Sequence, residues 1–132
     1  MIIIEQQLIS SKNSKEIYRP KGYKHFIVGK NKRALESEKN LILELSLKKK
    51  QFQNELRDIS YPMYILFKIY RKDKTRFDYV NIIQLLLDCM VKVGIIEDDN
   101  ANLLIPAFYP YEVDKNRPRV EISFKKIEEV KL

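Results

Sequence analysis

The sequence predicts one α+β domain, in which a small mixed β-sheet packs against two main helices. A length of 132 residues suits one domain with one hydrophobic core. Hydrophobic residues make up 45% of the chain and charged residues 33%, with three glycines and five prolines, which is typical of a globular protein. Two segments have a helical pattern and several have a strand pattern. No repeat or linker divides residues 1–132, so we expect a single domain.

The first half of the chain is predicted to contain a strand, a polar turn and a helix. Residues Ile2–Leu8 are apolar and β-branched enough for a first strand, and residues 10–15 are typical of a turn. Ser37 is a candidate N-cap for a helix that runs to about Leu56. Four apolar side chains of this helix fall on one stripe, which predicts a core-facing side. They are Leu41, Leu45, Phe52 and Leu56.

A strand and a strongly apolar helix are predicted next. Residues Met63–Tyr70 follow Pro62 and have high β propensity, so this strand should be central. The helix should run from about Tyr79 to Val93 and end at Gly94 as its C-terminal cap. Because it is apolar on most sides, we expect it to lie between layers or at a dimer interface.

Two strands are predicted at the end of the chain, at Leu103–Val113 and Arg119–Ile127, joined by a turn. Pro106 and Pro110 lack the backbone N–H group that a central strand donates. The first of these strands is therefore predicted to be an edge or bulged strand.

The formal net charge of +7 and the pI near 9.4 favour polyanionic partners, with nucleic acid first and acidic membrane second. Apolar runs are much shorter than the roughly 20 residues that span a bilayer. The N-terminal residues do not resemble a secretory signal, so we expect a cytoplasmic location. Cys89 is a single cysteine, predicted to be buried and inert, and His25 is a single histidine. A zinc site, a disulfide and a nucleophilic triad are therefore not expected.

Much of the positive charge lies between Lys12 and Arg33, where eight cationic side chains accompany one acidic side chain, Glu16. Interleaved aromatic residues suit phosphate neutralisation with some base or sugar stacking, whereas the alternative is a β-hairpin with a solvated face. The loop at residues 71–76 adds further cations. The candidate DNA-binding residues are Lys12, Lys15, Arg19, Lys21, Lys24, Lys30, Lys32, Arg33, Lys72, Lys74 and Arg76.

Carboxylates stand at both ends of the second helix, at Asp78 and at residues 97–99. The helix is about 22 Å long, and five extended residues after Gly94 cover about 16 Å, so the chain can bring Asp99 most of the way back toward Asp78. Carboxylates brought together on a basic surface are suited to holding Mg²⁺. Taken singly, Asp78 is equally explained as a helix N-cap and residues 97–99 as a solvated acidic loop.

These segments together resemble the RusA-like family of Holliday-junction resolvases, of the phage type. The family's acidic motif is Asp-x-Asp-Asn, a lysine three residues later, Leu-Asp, and a glycine-containing link to Asp-Asp. Residues 78–84, Leu87-Asp88 and residues 93–99 follow that order here. Residues 11–15 with Tyr18-Arg19-Pro20 are similar to the family's Ser-Lys-x-Asn-Ser segment, and residues 119–122 to its last strand.

The resemblance implies a dimeric, Mg²⁺-dependent endonuclease that cuts four-way DNA junctions in recombination and repair, with Mn²⁺ as an alternative metal. It implies no organic cofactor and a bacterial or phage-encoded source. Asp78 and Asp99 match the catalytic, metal-binding carboxylates, and Asp98 is a further candidate ligand. Asn81, Gln84 and Asp88 stand at supporting motif positions.

Two departures from the motif bear on activity. Val80 replaces the second catalytic aspartate and cannot bind a cation, which predicts weaker metal binding. Gln84 replaces the motif lysine and has no charge. The stabilisation of phosphate charge by that lysine is therefore lost unless Lys72, Lys74 or Arg76 supplies it. Rescue by Glu97 or Asp98 is an open alternative. Three hypotheses follow: an active nuclease, a DNA-binding relative without activity, and a protein-interaction module.

Overall fold

A computed structural model describes residues 1–10, 15–18, 21–22, 25, 27–30 and 32–130, with the backbone alone for 15–18 and 27–30. Three α-helices, seven strands and a terminal 3₁₀ turn are present in these ranges. In chain order they are β1 (Ile2–Ile4), β2 (Lys15–Tyr18), β3 (Ile27–Lys30), α1 (Lys32–Leu47), α2 (Lys49–Leu56), β4 (Met63–Arg71), α3 (Tyr79–Val93), β5 (Leu104–Phe108), β6 (Glu112–Val113), β7 (Arg119–Lys126) and the 3₁₀ turn Ile127–Glu129.

The predicted α+β fold is confirmed. Five strands form one mixed sheet in the order β1-β7-β4-β5, with β6 also paired to β4. β7 is antiparallel to β1 and β4, whereas β5 and β6 are parallel to β4. The crossover between β4 and β5 contains α3, as parallel strands require a long connection. β2 and β3 pair separately as an antiparallel two-stranded sheet.

One face of the large sheet carries the hydrophobic core. Side chains alternate along β4, so Ile65, Phe67 and Ile69 point into the core. Val120 and Ile122 of β7 continue this layer. Helices α1 and α3 cover it and also pack against each other. The predicted central position of β4 is confirmed, because it pairs with β7 on one side and with β5 and β6 on the other.

The helix predicted from Ser37 to about Leu56 differs from the observed one in two respects. It begins at Lys32, so Ser37 lies inside α1 and is buried rather than serving as an N-cap. It also divides into α1 and α2 at Lys48, whose ammonium donates hydrogen bonds to the Ile3 carbonyl and to Glu44. The predicted stripe is correct, since Leu41, Leu45 and Phe52 are buried and Leu56 packs against the core.

The first strand is shorter than predicted, because β1 ends at Ile4 rather than Leu8. Its pairing with β7 ends at Ile4 opposite Val120, one residue from Arg119, where β7 begins. Beyond this point Glu5 forms an ion pair with Arg117, and Leu8 is buried.

The predicted boundaries of α3 are correct. Asp78 is in the N-cap position with extended backbone angles, and Gly94 is the left-handed C-cap at φ 83°. Six side chains of α3 are buried, including Cys89, as the single cysteine was predicted to be. Within the described ranges, none of the helices is both long enough and apolar enough to span a bilayer.

The predicted strand at Leu103–Val113 is interrupted at residues 109–111, which separate β5 from β6. Pro110 lies in this interruption. Pro106 lies in β5, which pairs with β4 and is the last strand in the sheet order of the described residues, so the predicted edge position is confirmed. The final strand, β7, ends at Lys126, one residue before the predicted limit.

Candidate functional site

Helix α3 borders two neighbouring clefts of opposite charge. The first, the acidic cleft, has a volume of about 370 Å³ and contains four carboxylates and one ammonium group. The second, the basic groove, has a volume of about 690 Å³ and contains four cationic side chains and two carboxylates. Ser10 and Asn81 contact both clefts, so the two clefts adjoin each other.

The acidic cleft brings together five of the residues that the sequence motif singled out. They are Asn81, Gln84, Asp88, Asp98 and Asp99. Gln84 and Asp88 are one helical turn apart on α3, so both face the same side of the helix. Two further residues of the cleft carry charge: Glu38 of α1 and Lys92 of α3 form an ion pair at 3.1 Å.

The carboxylates of Asp98 and Asp99 differ in their surroundings. Hydrogen bonds from the Asp99 backbone N–H (2.8 Å) and the Asn100 side-chain amide (3.2 Å) lower the pKa of Asp98. Asp99 is exposed, but the slight desolvation of its carboxylate raises its pKa, and its hydrogen bond with Asp98 and the charge of Asp88 raise it further. Of these two carboxylates, Asp99 therefore holds a proton more readily.

The basic groove lies at the start of α3. Its cationic side chains are Arg33 from α1, Arg71 at the end of β4, and Lys72 and Arg76 from the following loop. Arg33, Lys72 and Arg76 are exposed, whereas Arg71 is only 9% exposed. The loop is ordered by two hydrogen bonds: Lys72 N–H donates to the Gln7 side chain (2.7 Å), and Thr75 N–H donates to Asp73 (2.9 Å).

Aromatic rings form the wall behind the basic groove. The Arg71 guanidinium lies 4.6 Å from the centre of the Phe77 ring, within cation–π range. Phe77 in turn meets Tyr79 and Tyr111 edge to face, at 5.3 and 4.9 Å between ring centres. The Tyr79 hydroxyl accepts a hydrogen bond from the Tyr111 backbone N–H (2.7 Å). These contacts fix Phe77, so the groove has a rigid side.

The structure separates the two predicted catalytic carboxylates between the clefts. Asp78 borders the basic groove, and Asp99 borders the acidic cleft. Asp78 accepts a long hydrogen bond (3.4 Å) from Asn81, and its side chain does not cap the helix. Val80 is 66% exposed and contacts neither cleft.

The residues present do not fit a complete Mg²⁺ centre. No group of three or more Asp, Glu, His or Cys side chains within the described ranges is close enough together to hold a metal ion. Both Asp98 oxygens already accept hydrogen bonds from their own loop. Since Mg²⁺ requires near-octahedral oxygen coordination, this donor set is incomplete, and we derive no metal-dependent step from it.

The predicted DNA-binding residues are distributed unevenly. Arg33, Lys72 and Arg76 border the basic groove, whereas Lys21, Lys32 and Lys74 are exposed elsewhere. Lys15 and Lys30 lie at paired positions of β2 and β3, as in the hairpin alternative. Three other candidates lie outside the described residues, namely Lys12, Arg19 and Lys24.

Sequence reasoning assigned no binding role to two residues of the basic groove, Arg71 and Phe77. One sequence signal identifies Arg71. The alternation along β4 assigns odd-numbered positions to the core, so position 71 is an arginine where an apolar residue is expected. Phe77 carries no comparable signal, because its role depends on contacts with distant strands.

A comparison of the chain with known protein families finds no match, and a comparison with curated proteins also finds none.

Proposed function

We propose that this chain is a nucleic-acid-binding protein that holds the phosphate backbone of DNA in the basic groove. One observation carries the proposal: four cationic side chains from three parts of the chain converge on a groove with an aromatic wall. Phosphate contacts made by Arg and Lys supply most of the affinity in non-specific DNA binding. The net charge of +7 favours the same partner.

Branched DNA is the substrate form that we propose, because the order of motif residues resembles that of the RusA-like resolvases. A homodimer would present two basic grooves to the arms of a four-way junction. We further propose a cytoplasmic location in a bacterium or phage-infected cell, in keeping with that resemblance.

To test this function, fluorescence anisotropy measures the affinity of the protein for a labelled four-way junction and for a labelled linear duplex of the same arm sequence. Both affinities are measured over a range of NaCl concentrations. We expect tighter binding to the junction and an affinity that falls steeply with salt. Equal affinity for both DNAs would reject branch recognition. Absence of binding to either DNA at about 50 mM salt would reject nucleic-acid binding altogether.

A second candidate function, a structure-specific endonuclease, is favoured by the acidic cleft. Asp88, Asp98 and Asp99 border one cleft beside Asn81 and Gln84, in the order that the resemblance predicts. The incomplete donor set and the position of Val80 weigh against turnover, so we place this candidate second.

The two candidates are distinguished by incubating the junction with the protein in Mg²⁺, Mn²⁺ or EDTA. The unmodified protein is compared with a Val80→Asp/Gln84→Lys variant, which restores the motif residue at both positions. We expect binding without cleavage by the unmodified protein. Cleavage that requires Mg²⁺ or Mn²⁺ and is lost in Asp99→Asn would establish the nuclease and show that the existing carboxylates suffice.

A further inference from the structure

We propose that Arg71 forms the base of a phosphate-binding site inside the basic groove, where its guanidinium receives one oxyanion. The identity of that oxyanion, a DNA backbone phosphodiester, rests on the proposed function. The exposed cations Arg33, Lys72 and Arg76 surround this position.

The first argument is that Arg71 is a buried cation with no carboxylate partner among the side chains that the structure describes. It is 9% exposed and donates one hydrogen bond, from Nη1 to the Leu8 carbonyl at 2.9 Å. None of the ion pairs between described residues includes Arg71. Asp73 acts on it only as a charge at longer range, and burial lowers its pKa. A buried charge usually has a partner, because desolvation is costly.

Arg119 provides an internal reference for this argument. It lies on the neighbouring strand, opposite Tyr70, and on the other face of the sheet. Its guanidinium also stacks on a ring, at 3.7 Å from the centre of Tyr70. Unlike Arg71, it forms ion pairs with Asp114 (2.8 Å) and Glu121 (3.2 Å). The same sheet therefore neutralises one of its two ring-stacked arginines and leaves the other open to a groove.

The second argument is the surroundings of the Arg71 guanidinium. Phe77 and the Leu8 carbonyl fix its orientation, so little side-chain freedom is lost when a ligand binds. A planar guanidinium can donate two parallel hydrogen bonds to a phosphate. Two carboxylates, Asp73 and Asp78, also border the groove. Asp73 already accepts a hydrogen bond from the Thr75 backbone N–H group.

The start of α3 adds to the positive potential of this site. A helix N-terminus carries partial positive charge and unpaired N–H groups, which favour anions. The Asp78 side chain does not bond to those N–H groups, so it leaves them available. This feature alone would not define a site, but it acts in the same direction as the four cations.

The test compares Arg71→Met with the matched control Arg119→Met. Methionine matches the unbranched side chain of arginine as far as the Nε position, lacks the guanidinium group and suits the core-facing position. For each bound protomer, we expect Arg71→Met to lower the slope of log affinity against log salt by about 0.9, the value for one lost phosphate contact, and to weaken junction binding about tenfold near 100 mM salt. Arg119→Met should keep the wild-type slope. An unchanged slope in folded Arg71→Met would overturn the inference.

Inorganic phosphate provides a readout that is independent of DNA. At constant ionic strength, phosphate in place of chloride should raise the melting temperature of the wild-type protein and of Arg119→Met, but not of Arg71→Met. If the wild-type protein binds no DNA and still shows this shift, the proposed function fails and the Arg71 site stands. If DNA binding is normal and the shift is equal in all three proteins, the Arg71 site fails and the proposed function stands.

If Arg71→Met does not fold, Arg71→Lys decides the question. An ammonium group keeps the charge but cannot reproduce the two parallel hydrogen bonds of a guanidinium. Junction affinity should then fall several-fold while the salt slope stays near the wild-type value. Wild-type affinity in Arg71→Lys would overturn the inference.

Discussion

The acidic cleft and the basic groove adjoin each other along α3, yet they differ in charge and in construction. Three of the four carboxylates of the acidic cleft come from α3 and from the loop after it, and the fourth is Glu38 of α1. The cations of the basic groove come from α1, the end of β4 and the loop before α3. The acidic cleft is mostly a local product of one segment of the chain. The basic groove exists only because distant segments meet.

The comparison teaches that a motif order in the sequence does not by itself define a site. Asp78 and Asp99 are the two carboxylates that the resemblance assigns to one centre, and they border different clefts. The face of α3 between them presents Asn81, which contacts both. If DNA binding depends on charge, removing cations from the basic groove should weaken it, and removing carboxylates from the acidic cleft should strengthen it.

Removal of charge from the basic groove should have the largest effect. In Arg33→Ala/Lys72→Ala/Arg76→Ala, we expect junction affinity near 100 mM salt to fall on the order of 10²–10³-fold for each bound protomer, because each protomer loses three phosphate contacts. Anisotropy titrations measure this change.

A control with the same change in net charge is Lys115→Ala/Lys125→Ala/Lys126→Ala, since these exposed lysines border neither cleft. It should weaken binding far less, because distant exposed charges are screened by salt. Equal losses in the two triple variants would mean that the groove has no special role.

Removal of charge from the acidic cleft should have a smaller effect of opposite sign. In Asp88→Asn/Asp98→Asn/Asp99→Asn, we expect junction affinity at low salt to rise several-fold, because carboxylates near the DNA repel phosphates. The gain should shrink as salt is added. A loss of affinity would indicate instead that these carboxylates support binding, for example through a cation.

The smallest expected effect is on stability, through the raised pKa of Asp99. The folded state holds this proton more tightly than the unfolded chain, so stability falls as the pH rises from the ordinary carboxyl range through the raised pKa. Asp99→Asn removes this loss. Because the side chain is exposed, the gain of the variant at pH 7 should be below about 0.5 kcal/mol, and absent near pH 3.

Urea unfolding at both pH values measures this difference, with Glu97→Gln as a control that changes an exposed carboxylate outside both clefts. An Asp99→Asn variant that is less stable than the wild-type protein at pH 7 would contradict the assigned direction.

Much of the fold could be predicted where local signals agree. The N-cap position at Asp78, the left-handed Gly94 and the apolar pattern between them define α3 without reference to other elements. Ser37 misled because a capping residue type also occurs inside helices, and only packing shows that this one is buried. The length of β1 could not be predicted either, since it depends on pairing with β7, which is more than a hundred residues away in the sequence.

The candidate site also has one part that depends on local sequence and another that depends on packing. Asp78, Asp98 and Asp99 were predicted as metal ligands, with Asp88 at a supporting motif position. One helix and its following loop bring Asp88, Asp98 and Asp99 to the acidic cleft, whereas Asp78 borders the basic groove. The full metal centre stays a prediction of the resemblance, and the described side chains do not complete it.

By itself the sequence determined the α+β class, the limits of α3, the central strand and the excess of positive charge, because each depends on local propensity, on side-chain alternation or on composition. Tertiary structure decided which charges meet. In the sequence, the rest of α1, α2 and most of β4 separate Arg33 from Arg71, and a loop separates Arg71 from Phe77. The docking of α1 and β4 around α3 brings all three to one groove. Contacts between distant segments depend on packing geometry, which no local pattern specifies.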